Sequence, residues 1–168
     1  MSMMMRKKDK YSYEDFSEWK WRSFGTGKSL ELDEWIEQKR EDHVFMIGTD
    51  SRNKSKCSFT TAISAYKLGR GGSALIHKAH TPKVPDLRQR LLLETMMSLE
   101  TAWYLSTKIP SLKNVIVIHL DINQSVRWES GKYHDELVGF VTSQGFEALS
   151  KPNAWAATCV ADLVCKRG

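Results

Sequence analysis

The chain has 168 residues, with 25 Lys and Arg against 20 Asp and Glu, which predicts one domain and favours anionic partners such as nucleic acid. Its three cysteines form no CxxC pair, which argues against a zinc site or a disulfide framework and favours a reduced, cytoplasmic compartment. Apolar runs stay shorter than the roughly 18 residues of a membrane helix, so we expect no membrane partner.

The first 42 residues predict an extension to the main domain. Residues 1–10, MSMMMRKKDK, are expected to form a disordered basic arm, and residues 11–42 a helical extension of two short helices, YEDFSEWKWRSF and SLELDEWIEQKR. Trp19 and Trp21 are candidates for base stacking, although two tryptophans on a short helix more often form a packing face. GTGKS between the helices resembles part of a phosphate-binding loop but lacks that motif's first glycine.

Residues 43–168 predict a single α/β domain. Three strand-like runs separated by turn-forming residues indicate an antiparallel meander: VFMIGTDS, CSFTTAISAYKL and SALIHKAHT. A long helix is predicted over residues 86–107. The order then continues as a buried strand, a helix, a strand and a last helix: NVIVIHLD, HDELVGFVTSQG, FEALSK and NAWAATCVADLVCKRG. We therefore expect a mixed five-stranded sheet, three antiparallel strands and then two more, flanked by helices.

Four acids occupy positions where a solvated acid is not expected. Asp50 and Asp121 end strands, Asp162 interrupts an apolar stripe on the last helix, and Glu94 has apolar neighbours on the long helix. Individually they are explained as turn formers, solvated surface or half of an ion pair. Jointly they could converge, and clustered carboxylates repel one another unless cations lie between them. Oxygen ligands favour hard divalent ions such as Mg²⁺ or Mn²⁺.

The long helix offers two acids that cannot both face one site. At 100° per residue, Glu100 points roughly 120° away from Glu94. Glu94 is preferred because the small Ser98 lies one turn on and leaves room for a ligand, and Glu100 remains the alternative.

Four segments occur in an order that resembles the YkuK-like family of RNase H-like proteins: IGTDS, LRQRLLLETMMSLETA, IHLDI and GFEALSKPNAWAATCVAD. The resemblance covers residues 24–168 and implies an RNase H-like fold with two metal ions. By position it makes Asp50 the ligand shared by both ions, with Glu94 and Asp121 on one side and Asp162 on the other. It implies a nuclease acting on phosphodiester bonds of RNA, DNA or a hybrid; the alternative is a non-catalytic nucleic-acid-binding or assembly module.

Further residues could assist at such a site. His119, His134 and Lys151 are auxiliary candidates, although a strand histidine is more often structural and an exposed lysine is often merely solvated. Basic residues around the meander and the start of the long helix could follow a phosphate backbone. They are Lys67, Arg70, Lys78, Lys83, Arg88 and Arg90.

Overall fold

The protein is described by a computed structural model over residues 13–67, 70–125 and 127–151. In these segments seven strands form one mixed sheet in the order β2-β1-β5-β4-β3-β6-β7. The strands are β1 (Trp21–Ser23), β2 (Ser29–Leu30), β3 (Val44–Asn53), β4 (Lys56–Lys67), β5 (Gly71–Pro82), β6 (Ile116–Asn123) and β7 (Glu147–Lys151). The helices are α1 (Leu32–Lys39), α2 (Leu87–Lys108) and α3 (His134–Ser143).

The centre of the sheet follows the predicted pattern. Strands β3, β4 and β5 are antiparallel neighbours, while β6 lies parallel to β3 and β7 parallel to β6. Phe45 and Ile47 on β3 are fully buried on one side of the pleat, as the apolar run indicates. The expected five strands are present, but the expectation of a five-stranded sheet is wrong because the N-terminal extension adds two more at its edge.

The prediction of a first helix in the extension, over YEDFSEWKWRSF, is also wrong. Phe16–Glu18 form only a short 3₁₀ turn, and β1 follows, with Arg22 opposite Ile76 of β5. Two physical reasons favour the strand: tryptophan packs well on a pleated surface, and β1 covers the otherwise open edge of β5. The second predicted helix is present as α1.

The two tryptophans of this extension pack into the core. Trp19 is 6% exposed and Trp21 4% exposed. The Trp19 ring stacks on His77 with centroids 4.4 Å apart. The base-stacking interpretation is therefore wrong, and the packing-face alternative is confirmed.

The three helices pack on one face of the sheet. Trp35 of α1 contacts Phe45, and Thr49 of β3 shares a 2.8 Å hydrogen bond with Ser98 of α2. Asp86 caps α2 by accepting a hydrogen bond from the Arg88 amide at 3.0 Å. The predicted last helix, with Asp162, and the predicted basic arm lie outside the described residues. No helix in the described part of the chain is long and apolar enough to span a membrane.

Candidate functional site

Two of the predicted carboxylates lie at the same edge of the sheet, the one formed by the carboxyl ends of the neighbouring strands β3 and β6. Strands β3 and β6 are parallel, with Gly48 opposite His119. Asp50 and Asp121 each lie two residues further on, so strand alternation places them side by side on one face. This is the face opposite α2, since Thr49 is bonded to that helix. Both acids are partly buried.

Glu94 approaches the same edge from α2. It is 8% exposed, and the Ser51 hydroxyl donates a 2.5 Å hydrogen bond to its Oε1 atom. Burial raises the pKa of Glu94 to about 8, and the nearby charges of Asp50 and Asp121 act in the same direction, while the Ser51 hydrogen bond opposes them. Glu94 is therefore largely protonated at neutral pH, and the three acids lie close enough to influence one another.

Lys151 supplies a positive charge at this edge. Its Nζ atom lies 2.5 Å from Oδ1 of Asp121, where β7 ends beside β6. The Lys151 side chain is 49% exposed and that of Asp121 only 23%, so the ammonium reaches inward from solvent. The raised pKa of Glu94 favours its neutral form, and the Lys151 ammonium group offsets the charge of Asp121.

Hydroxyl groups fix the helix against the strand that carries Asp50. Thr49 of β3 shares hydrogen bonds with Ser98 at 2.8 Å and with Thr61 at 3.0 Å. Ser98 lies one helical turn beyond Glu94, so the contact also sets where Glu94 sits. Sequence reasoning missed Ser51 and Thr49 as supporting residues, although their hydroxyls flank Asp50 in the same strand.

His119 is part of the packed interior behind the acids. It is 2% exposed, and burial lowers its pKa to about 4. Its Nδ1 atom has no hydrogen-bond partner in the described part of the chain. A cavity of about 10 Å³ lies next to it, lined among others by Glu94, Ser98 and Asp121. A neutral, enclosed imidazole agrees with the structural interpretation of this histidine rather than with a proton carrier.

The oxygen donors here suit a hard divalent cation, but an assembled metal site is not part of the described structure. Within the three described segments, no three His, Cys, Asp or Glu side chains are grouped so that they could hold a metal ion. Asp162 lies outside those segments. The four-carboxylate site and its two ions therefore stay predictions.

Comparison with known proteins gives the family. Residues 30–166 match the family described as Ribonuclease H-like. This chain belongs to that family. It is also similar to "Uncharacterized protein YkuK" of Bacillus subtilis (strain 168), with 29% identity over 143 residues, 76% of this chain and 81% of that protein. No solved structure gives a significant match. The resemblance inferred from the four segments is thereby confirmed.

Two other candidate residues of this RNase H-like protein are placed away from the acids. Glu100 lies six residues beyond Glu94 on α2, partly buried, and does not line the cavity beside Asp121. His134 bonds through Nε2 to Ser150 and through Nδ1 to Asp135, both at 2.9 Å. These contacts tie the start of α3 to β7.

The predicted basic residues are split between the two ends of the sheet. Lys67 ends β4 and Arg70 precedes β5, beside the start of β3 and therefore opposite the acidic end. Lys67 also lies 3.5 Å from Asp42. The remaining four lie level with or beyond Asp50: Lys78, Lys83, Arg88 and Arg90.

Two of that second group already interact with acids. Arg88 forms an ion pair with Glu136 of α3. Arg90 is close enough to Glu94 for its positive charge to oppose the rise in the pKa of that acid. Lys78, Lys83, Arg88 and Arg90 therefore lie toward the acidic end of the sheet, and their contact with a phosphate backbone stays a prediction.

Proposed function

We propose that this protein is a metal-dependent nuclease that hydrolyses phosphodiester bonds of RNA, DNA or a hybrid. The proposed ligands of Mg²⁺ or Mn²⁺, two ions in the full site, are Asp50, Glu94, Asp121 and Asp162. Membership of the Ribonuclease H-like family supports the class of reaction. A fold alone does not fix an activity, so the proposal depends on the acids themselves.

The observation that carries the proposal is the environment of Glu94. Glu94 is 8% exposed beside two other acids, and a carboxyl group buried in this way is costly in a stable fold, which agrees with its raised pKa. Strongly shifted acids cluster at functional sites, where the arrangement serves chemistry rather than stability. Divalent cations would offset the repulsion among the acids.

The described side chains have separate roles in this proposal. A divalent ion, when bound, would polarise the phosphate and make its bound water more acidic. Ser51 orients the Glu94 carboxyl group through its hydrogen bond, and the Thr49–Ser98 hydrogen bond fixes the position of α2 along β3. Lys151, half-exposed beside Asp121, can meet a phosphate oxygen that arrives from solvent.

One observation favours a second function, a non-catalytic nucleic-acid-binding or assembly module. Glu94 keeps a proton and Asp121 is paired with Lys151, so both are stabilised without a metal ion. In such a module the acids would be structural, and the basic residues near Arg88 and Lys83 would provide the binding surface.

Cleavage of a labelled panel separates the two functions. Single-stranded RNA, single-stranded DNA, duplex DNA and an RNA–DNA hybrid are incubated with Mg²⁺, with Mn²⁺ and with chelator. We expect cleavage that requires a metal ion and is lost in Asp50→Asn. The matched control is Asp42→Asn at the opposite end of β3, where a φ of 58° is one that asparagine tolerates.

Two results would contradict the proposal. Asp50→Asn cleaving as fast as Asp42→Asn would show that the acidic edge is not the site. Binding of the panel without cleavage by either ion would favour the second function.

A further inference from the structure

Trp128 differs from the other described tryptophans because it faces solvent. It is 58% exposed, on the loop that follows β6. The others are buried or partly buried in the core: Trp19, Trp21, Trp35 and Trp103. Exposure of so large an apolar ring leaves a sizeable hydrophobic area in water, which is typical of a contact surface.

Hydrogen bonds hold the backbone on both sides of Trp128. The Trp128 amide donates to the Ser125 carbonyl at 3.2 Å, and the Gly131 amide donates to the Trp128 carbonyl at 3.0 Å. A Cβ atom at Gly131 would lie 1.8 Å from the Ser125 carbonyl oxygen, so only glycine allows this close turn. The backbone N–H of Asn123 also donates to the Ser130 hydroxyl at 3.4 Å. The backbone is therefore tied together at Ser125, Trp128 and Gly131.

The position and charge of the turn identify a class of partner. The chain leaves β6 at Asn123, two residues beyond Asp121, so Trp128 belongs to the loop at the end of β6 that carries this acid. Exposed Arg127 precedes Trp128 and exposed Lys132 follows four residues later, with one exposed acid, Glu129, between them. An exposed aromatic ring with two basic residues close by in the chain fits a nucleotide, whose base stacks on the ring and whose phosphates meet the positive charges.

We propose that Trp128 stacks on an unpaired base, so that the site takes single-stranded nucleic acid or a single-stranded segment. The inference rests on the proposed function, because it takes the acidic edge as the place where the strand is used. Bases within a duplex are already stacked on their neighbours, whereas an unpaired base has a free face for the indole ring.

Binding without metal tests the inference separately from cleavage. Fluorescence anisotropy in chelator measures the Kd for a labelled 12-nucleotide single strand and for a duplex of the same length. Trp128→Ala should raise the Kd for the single strand about tenfold, which corresponds to about 1.4 kcal/mol, and change the duplex Kd much less. Trp128→Phe should restore most of the affinity because it keeps a stacking ring.

Tyr66→Ala is the matched control. Tyr66 is an exposed aromatic residue, 39% exposed, that pairs with Val44 at the opposite end of β3 from Asp50. Its removal should leave both Kd values unchanged. An equal loss of affinity in Tyr66→Ala and Trp128→Ala would indicate a general surface effect and overturn the inference.

The remaining outcomes are distinct. If Trp128→Ala binds the single strand as tightly as wild type, Trp128 is not a stacking platform, even in a protein that cleaves. If it loses equal affinity for strand and duplex, the preference for an unpaired base is wrong. A change in sedimentation without a change in Kd would show that Trp128 contacts a second copy instead. Binding through Trp128 without cleavage in Mg²⁺ or Mn²⁺ would refute the nuclease proposal but leave the Trp128 inference standing.

Discussion

Glu94 should make the metal-free protein less stable as the pH rises through neutrality, and Glu94→Gln should remove that dependence. Burial and the neighbouring acids raise the pKa of Glu94 from 4.5 to about 8 on folding. Between these values the folded protein keeps the proton and the unfolded chain loses it. Since the unfolded chain binds fewer protons in this window, the free energy of unfolding falls as the pH rises.

The size of the effect follows from the same two pKa values. Each pH unit in the window costs about 1.4 kcal/mol, so at pH 7 the folded protein is less stable by about 3 kcal/mol than with a group that never ionises. Glutamine is such a group, and its carbonyl oxygen can still accept the hydrogen bond that Ser51 donates to Glu94. Glu94→Gln and wild type should therefore differ by less than about 1 kcal/mol near pH 5 and by about 3 kcal/mol at pH 7.

Urea unfolding followed by circular dichroism, at pH 5, 6, 7 and 8 in chelator and constant salt, measures this difference. Glu100→Gln is the matched control on the same helix and should keep the wild-type pH dependence, because Glu94 is still present. If wild type and Glu94→Gln lose stability equally between pH 5 and 8, Glu94 is ionised in the fold, and the reasoning from its burial fails.

Glu94→Gln should reduce cleavage in Mg²⁺ far more than Glu100→Gln, and the reverse ranking would show that the other face of α2 carries the site. In chelator, Asp162→Asn should melt at or above the wild-type temperature and gain less from added Mg²⁺, whereas a clearly lower melting temperature would mark Asp162 as a structural partner. Trp21→Ala should cost about 3–5 kcal/mol in urea unfolding, because it empties buried space beside His77, yet leave the Kd for nucleic acid unchanged at temperatures where it remains folded.

The central sheet could be predicted because its signal is local. Alternating or continuous apolar residues set the strands, so the run 44–51 anticipates Val44–Asn53 closely. The extension could not be predicted in the same way. Trp19 and Trp21 are two residues apart, which is compatible with one face of a strand and also with a helix that carries both rings. The strand forms because β1 pairs with β5, which lies more than fifty residues away in the sequence. A local sequence pattern cannot reveal such a pairing.

The site was predictable to a similar depth. Strand ends and helical phase singled out Asp50, Asp121 and Glu94 one at a time, and the resemblance to the YkuK-like family implied that they share a site. In the structure the charges of Asp50 and Asp121 do act on Glu94. The contact between Lys151 and Asp121 depends on how β7 lies against β6, where the register shifts between Leu120 and Asn123. Such an irregularity changes which side chains meet, and the sequence of neither strand alone reveals it.

The contacts of the acids connect stability to the proposed chemistry. Without a metal ion, Glu94 keeps its proton and Asp121 keeps the ammonium of Lys151, so the cluster carries less charge than its acids would suggest. A divalent ion bound by these acids would have to displace the Glu94 proton and compete with Lys151. Rising pH would therefore favour the ion-bound form up to about pH 8 while it weakens the metal-free fold, and these opposite responses share one cause: a carboxyl group buried where its charge is unfavourable unless a cation accompanies it.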